Sequence, residues 1–218
     1  MGYRRIRDEL DGHKGIHVND KRVLRICRKY DIKSNIKWKP KSCTRGDRNP
    51  DHIAKNYLHR EFHAEKPNEK WLTDVSEFKY YNGIEVHKVY LSAILDLYDR
   101  KIVTYKISNR NDIDIVLDTL NEAISIRKDV KGLILHSDQG HQYTSFQYKK
   151  VCESNGITIS MSRKGTPIDD SPMESFHGIL KKETLYNNDI TNLEEYIDIV
   201  KDWLLFYNTK RIKNRDYN

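Results

Sequence analysis

Cysteine is scarce in this chain of 218 residues: Cys27, Cys43 and Cys152 form an odd, scattered set with no Cys-x-x-Cys pair. That argues against a disulfide framework and fits a reducing compartment, where the three act as small apolar fillers. A rival reading is a structural zinc. His59 and His63 have finger-like spacing and Cys27 and Cys43 lie upstream, but a close cysteine pair is missing. Long apolar runs are missing too. The longest, around Val89 to Tyr98, is broken by Ser92 and Asp96 and falls well short of the ~20 residues that cross a bilayer. The start, Met1-Gly2-Tyr3-Arg4-Arg5, lacks the apolar stretch of a secretory signal. With a mean hydropathy of -0.82, these absences point to a cytoplasmic protein with no membrane partner. The length suits one medium domain plus an appendage, able to bury a core without disulfide or metal staples.

Charge is what the chain has in quantity, unevenly spread. Residues 1–70 hold 19 Lys and Arg against 10 Asp and Glu, whereas residues 71–218 hold 20 against 22. A basic arm on a near-neutral body is what a nucleic-acid binder needs, because cations on phosphates release counterions. A solvated, charge-rich surface is the plainer alternative. Within the arm, Tyr3 to Leu10 can form a short helix with Ile6 and Leu10 on one face, broken by Gly12 and Gly15. Asn19 can cap a second helix with Val23, Ile26 or Cys27, and Tyr30 facing inward, and with Lys21, Arg22, Arg25, Arg28 and Lys29 for DNA. This helix-turn-helix-like segment occupies residues 1–34. A basic stretch over 35–68, with Pro40, Gly46, Pro50 and Pro67, reads as a linker that orders on DNA.

From residue 69 to 218 the pattern is that of an α/β domain. Strand-forming runs cover Trp71 to Tyr81 and Glu85 to Leu97, with the hairpin signal Asn82-Gly83 between them. A third strand, Lys101 to Ser108, completes an antiparallel meander. Ile113, Val116, Leu117, Leu120 and Ile124 then stand at helical spacing behind a cap at Asn111 or Asp112. A short apolar strand over Leu133 to His136, a helix from Ser145 to Ser154 and a strand from Ile157 to Ser160 follow. The order βββαβαβα predicts a mixed five-stranded sheet flanked by helices, with functional groups at strand ends.

Three acids occupy unusual places. Asp74 shares a strand face with Leu72, Ser76 and Phe78, where an unpaired carboxylate is costly. Asp138 follows the buried fourth strand, and Glu174 opens a helix at Ser171-Pro172-Met173-Glu174. If the first and fourth strands are neighbours, the three converge, and converging carboxylates call for hard cations such as Mg²⁺ or Mn²⁺. Two ions ~3.5–4 Å apart suit an in-line phosphoryl displacement. Plainer roles exist for each: Glu174 as the third-position member of a capping box with Ser171 as cap, Asp138 as a turn residue. Asp96 and Asp99 compete for the metal role from a strand–turn junction.

Trp71-Leu72-Thr73-Asp74, His136-Ser137-Asp138-Gln139-Gly140 with Gln142-Tyr143, Ser162-Arg163-Lys164-Gly165 and Pro172-Met173-Glu174-Ser175-Phe176 together resemble the core of insertion-element transposases related to retroviral integrases. The 35 residues between Asp138 and Glu174 match that family's D-D-(35)-E pattern. Gly2-Tyr3-Arg4-Arg5-Ile6, Val18-Asn19 and Lys21-Arg22-Val23 resemble the helix-turn-helix ahead of the core in OrfB of two-reading-frame elements; Tyr207-Asn208 and Arg211 resemble its closing motif. The resemblance implies a ribonuclease H-like fold, with Asp74, Asp138 and Glu174 as catalytic metal ligands for two Mg²⁺ or Mn²⁺ ions. It also implies cleavage of element ends and joining of the freed 3′-hydroxyl to another phosphodiester. Implied DNA contacts are Arg4, Arg5, Lys21, Arg22, Arg25, Gln139, Tyr143, Arg163, Lys164, Lys181 and Lys182, with Lys181 two turns beyond Glu174 on the same helix face.

Implied partners are double-stranded DNA, further copies of the chain and an OrfA protein, in the bacterial cytoplasm at the nucleoid. Two departures stand out. Asp170 replaces a usual Asn, which adds a carboxylate expected to weaken metal or DNA geometry, and His177 replaces a common Phe. Both edges look cut relative to the family, the core at its C-terminus included. The alternatives are a non-catalytic DNA-binding remnant and a ribonuclease H-like nuclease that nicks without joining.

Overall fold

The computed structural model describes residues 2–33, 52–163, 166–185, 188 and 190–211. Cys43, Lys164 and much of the expected linker lie outside the described residues. The chain divides into two compact units, Met1–Lys41 with Thr209–Asn218, and Ser42–Asn208. Among the described residues no helix is long and apolar enough to cross a membrane.

The smaller unit holds α1 (Tyr3–Lys14) and α2 (Asp20–Lys29). Gly12 does not break α1. The helix runs on to Gly15, whose φ of 62° is the left-handed conformation glycine takes most readily, and Ile16 N–H closes onto the Leu10 carbonyl. Asn19 caps α2 as expected, its side chain accepting from Lys21 N–H. Only Val23 and Cys27 of α2 are buried. Ile26 and Tyr30 face out, because a helix of three turns against one partner buries a single narrow stripe.

The larger unit is built on one sheet of β1 (Lys70–Asn82), β2 (Glu85–Asp96), β3 (Ile102–Ser108), β4 (Ile134–Ser137) and β5 (Thr158–Met161), in the order β3-β2-β1-β4-β5. β1, β2 and β3 are antiparallel; β4 and β5 join in parallel. The mixed five-stranded architecture is thus the one the βββαβαβα pattern predicts. In the first hairpin the tight turn sits one residue later than the Asn-Gly signal implies. Asn82 still pairs with Glu85, and Gly83, at φ 59°, takes the first of the two loop positions, as a type II′ turn requires.

Side-chain alternation along β1 divides the core. Trp71 points to a cluster with Ile94, Leu133, Leu135, Ile115 and Leu120, covered by α3 (Ile113–Arg127) and α4 (Phe146–Ser154). Leu72 points the other way, to Leu91, Leu95, Met173, Phe176 and Trp203 beneath α5 (Ser171–Leu180) and α6 (Leu193–Thr209). Asp112 and Ser145 cap α3 and α4. Asn208 closes the edge of the sheet, its amide accepting from Ile102 N–H and donating to Ile102 O, both at 2.9 Å. Asp96, the last residue of β2, and Asp99, in the turn after it, hold the chain reversal together. Asp96 accepts from the N–H groups of Asn68 and Tyr98, and Asp99 from that of Lys101.

Candidate active site

Three elements bring the acids together. β1 and β4 pair through Trp71 with Leu135 and Leu72 with His136, and two residues further along each chain come Asp74 and Asp138. Asp74 has the parity of Leu72, which puts it on the face covered by α5. Asp138 leaves β4 in a tight turn: Gly140 N–H donates to its Oδ1 at 2.8 Å, and a Cβ on residue 140 would stand 2.9 Å from that oxygen. A larger residue there would push on the Asp138 carboxylate itself. α5 packs on β1 and carries Glu174.

The start of α5 differs from the expected capping box. A 3₁₀ turn, Pro167–Asp170, runs straight into the helix, so Ser171 is already its first residue. Asp170 takes the cap position without a side-chain cap bond. At helical spacing Asp170, Glu174, His177 and Lys181 then lie along one side of α5 and the π-type turn Lys181–Leu185 that continues it. His177 is buried with its Nε2 3.6 Å from Asp74 Oδ2. Lys181 Nζ sits 4.7 Å from the centre of the Phe78 ring.

The electrostatics are those of crowded acids. Burial and then repulsion from Asp138 push the Asp74 carboxyl up to about 7, with Lys181 and the Val75 N–H opposing. Burial also raises Asp138, against the Gly140 N–H. Asp170 is raised well above the usual carboxylate range by burial and by the charges of Asp74, Asp138 and Glu174. His177 is pushed down to about 3 by burial and by Lys181, so it is neutral beside Asp74. Burial lowers Lys181 while Asp74 and Glu77 hold it up.

The donor set fits a hard divalent cation in its chemistry: oxygen donors, surplus negative charge and a buried Asp170 Oδ1 with no hydrogen-bond partner. Among the described residues no group of three or more His, Cys, Asp or Glu is gathered tightly enough to hold an ion as it stands.

Behind the acids lies a set of contacts that sequence reading missed. The Asp169 carboxylate is fully buried and is gripped by Arg163 (Nε to Oδ2 2.9 Å, Nη2 to Oδ1 3.1 Å), by Arg60 (Nε to Oδ1 2.7 Å) and by Asn56 (3.2 Å). Arg163 and then Arg60 hold its carboxyl far below the usual range, against its burial. A second tie runs through Ser160, whose Oγ accepts from the N–H groups of Tyr57 and Leu58 and lies 2.8 Å from His136 Nδ1. With both acceptances made, the one Ser160 proton is left for Nδ1, which fixes the tautomer of a ring that burial pushes down to about 4.

These ties fasten the segment before β1 to β4, β5 and the start of α5. Ser160→Ala strands two N–H groups and a ring nitrogen, and is expected to cost about 2–3 kcal/mol. Urea denaturation checks this, and an unchanged midpoint would refute it. The only signal for either tie was the acid–base pairing of distant residues, which a single sequence does not display.

The expected DNA contacts fall into groups. Lys21, Arg22, Arg25, Arg28 and Lys29 are all exposed on the side of α2 opposite Val23 and Cys27, and Arg4 is exposed on α1. Arg5 pairs with Glu9 at 2.9 Å. Gln139 donates to the Ser162 carbonyl at 3.0 Å, and Arg163 is engaged by Asp169. Lys182 is partly exposed. Tyr143 is corrected: at 1% exposure, edge-on to Tyr148 and with its hydroxyl 3.4 Å from Thr73 Oγ1, it is out of reach of DNA and supports the site from below.

The integrase core domain family matches residues 64–167, a second integrase core description matches 155–213, and an HTH-like domain matches 1–40. InsK of insertion sequence element IS150 from Escherichia coli K12, assigned as a transposase, is 36% identical over 97% of this chain and 72% of its own length. A transposase-like protein of Haemophilus influenzae is 36% identical over 92% of this chain and 89% of its own, and a 31 kDa protein of insertion element IS600 from Shigella sonnei is 33% identical over 98% and 77%. Among solved structures, a chain of the simian T-cell lymphotropic virus intasome superposes with a TM-score of 0.60 at 17% identity, over 91% of this chain and 64% of that one. The HTLV-2 integrase catalytic core, solved with magnesium, gives 0.54 at 22%, over 69% and 92%. These two likenesses show the ribonuclease H-like integrase fold. Sequence relatives and fold agree, and the chain belongs to the insertion-sequence transposases built on an integrase core.

Proposed function

We propose that this protein is a DDE transposase that cuts the ends of its own insertion element and joins them to new DNA. The convergence of Asp74, Asp138 and Glu174 at the end of the β1–β4 pair carries the reading. In the first reaction a water oxygen bonds to phosphorus and the 3′-oxygen leaves with a proton. In the second that 3′-oxygen forms a new P–O bond in the target and the target's own 3′-oxygen leaves. One phosphodiester is exchanged for another in the joining step, so no nucleotide cofactor is needed. Two divalent ions, Mg²⁺ or Mn²⁺, held by Asp74, Asp138 and Glu174 would supply charge neutralisation and activation of the attacking oxygen.

The chain's other residues bind and orient. The exposed basic stripe of α2 holds backbone phosphates, with residues 1–34 as a DNA-binding segment, and the catalytic core begins ahead of the expected boundary at residue 69, since Asn56, Leu58 and Arg60 of the expected linker already pack into the larger unit. Lys181, on the Glu174 side of its helix, contacts the DNA end, and the neutral His177 excludes water beside Asp74. Handling two ends of one element calls for several copies on DNA, with an OrfA protein as a further partner, at the nucleoid in the bacterial cytoplasm.

The test incubates labelled duplexes from the DNA flanking the gene with the protein and Mn²⁺ or Mg²⁺. Cleavage and joining support the proposal. Nicks without joints would replace it with a nuclease, and binding without chemistry with a silent DNA-binding remnant.

A further inference from the structure

We infer that Asp170 is a fourth carboxylate ligand of the divalent-cation site, alongside Asp74, Asp138 and Glu174; this rests on the function proposed above. Asp170 is 6% exposed, and its Oδ1 is buried without a hydrogen-bond partner. It stands at the cap position of α5, where an Asp ordinarily accepts from a helix N–H, yet its side chain makes no cap bond. A buried carboxyl that gives up that bond lowers stability unless something else takes up its oxygen.

The adjacent acid shows the contrast. Asp169 is turned to Arg163, Arg60 and Asn56 and is fully satisfied. Asp170 shares none of these partners, its Oδ1 is left open, and the charges that act on it are those of Asp74, Asp138 and Glu174. A group placed among three like charges, with an open oxygen, is arranged for a cation rather than for a protein donor.

Charge balance gives the placement a purpose. Two divalent ions carry four positive charges, three carboxylates leave one unmatched, and a fourth closes the balance. The resemblance alone reads an Asp in place of Asn as a weakening of the site. Its burial and open oxygen read the other way: an anionic oxygen replaces a neutral amide oxygen at the same point, and the cation is held more tightly.

The experiment measures Mn²⁺ uptake by the full chain, from the loss of the free-ion electron paramagnetic resonance signal, for wild type, Asp170→Asn, Asp170→Ser and Asp138→Asn. Melting temperatures with and without Mn²⁺ are read in parallel. Asp170→Asn keeps the shape and is expected to weaken Mn²⁺ binding by about tenfold or more, and Asp170→Ser further. Both should gain less in melting temperature than wild type on adding Mn²⁺. Two results separate the claims. Wild-type affinity in a cooperatively melting Asp170→Asn or Asp170→Ser, with binding lost in Asp138→Asn, overturns the role of Asp170 alone. Equal binding in Asp138→Asn and wild type, or no uptake by wild type, overturns the cation site and the proposed function with it.

Discussion

Replacing Glu174 by Gln, or Asp74 or Asp138 by Asn, is expected to reduce cleavage and joining of element-end duplexes by ~10³-fold or more while leaving duplex binding unchanged. Each amide keeps the shape of the acid and removes one negative charge from the place where the phosphoryl charge must be balanced. Binding survives because the exposed basic stripe of α2 lies outside this cluster. Stability should move in the opposite direction from activity. Asp74 has its carboxyl raised to about 7 by burial and by Asp138, so at higher pH its charge works against folding.

The sign follows from linkage. A carboxyl raised above its unfolded value of ~3.9 lowers stability as pH rises through that value, and the whole loss is present above the folded value. Asp74→Asn should therefore be more stable than wild type in metal-free buffer at pH 8, by on the order of 2–4 kcal/mol, and the gain should vanish toward pH 4. Urea melts across that range, set beside gel assays of cleavage, measure both. A variant that loses activity and stability together at pH 8 would point to misfolding instead.

The second large effect concerns Asp169. Arg60→Ala with Arg163→Ala strands a fully buried carboxylate, leaving only Asn56 and the Arg163 N–H to satisfy it. Stranding a buried charge is costly, and because both guanidiniums are largely exposed the expected result is a clear but moderate fall in the urea midpoint. Adding Asp169→Asn should restore part of the loss, since no charge is then left unpaired. Acid gives an independent check. Arg163 and Arg60 hold the Asp169 carboxyl below its usual range, so the tie contributes fully above pH ~3.9 and is lost as pH falls below it. The difference between wild type and the double variant should shrink in that window. A constant difference from pH 6 to pH 2 would mean that the two arginines stabilise the fold by some other route.

Much of this arrangement is legible from local pattern. Alternation along β1, the five strands and the cap at Asn19 depend on neighbours in the chain, and a periodic or capping signal reports them directly, whereas the choice of Asp112 over Asn111 and the cap role of Ser145 came with the structure. Asp74 stood out for the same reason, as a charge on an apolar strand face. Gly12 inside α1 and the exposed Tyr30 went against expectation because packing of two helices, and not residue type, sets where a short helix ends and which stripe it buries.

The sequence by itself determined the elements, the basic arm, the family and the acids worth attention. Tertiary structure decided which acids face one another. Asp169 and Asp170 are adjacent and chemically identical, yet one meets two arginines and the other three carboxylates. That division follows from the parallel register of β1 with β4, the seating of α5 on β1 and the 3₁₀ turn that displaces the expected cap, all of which are contacts between distant segments. Such contacts are set by shape and burial across the whole core, and no local window of residues contains them.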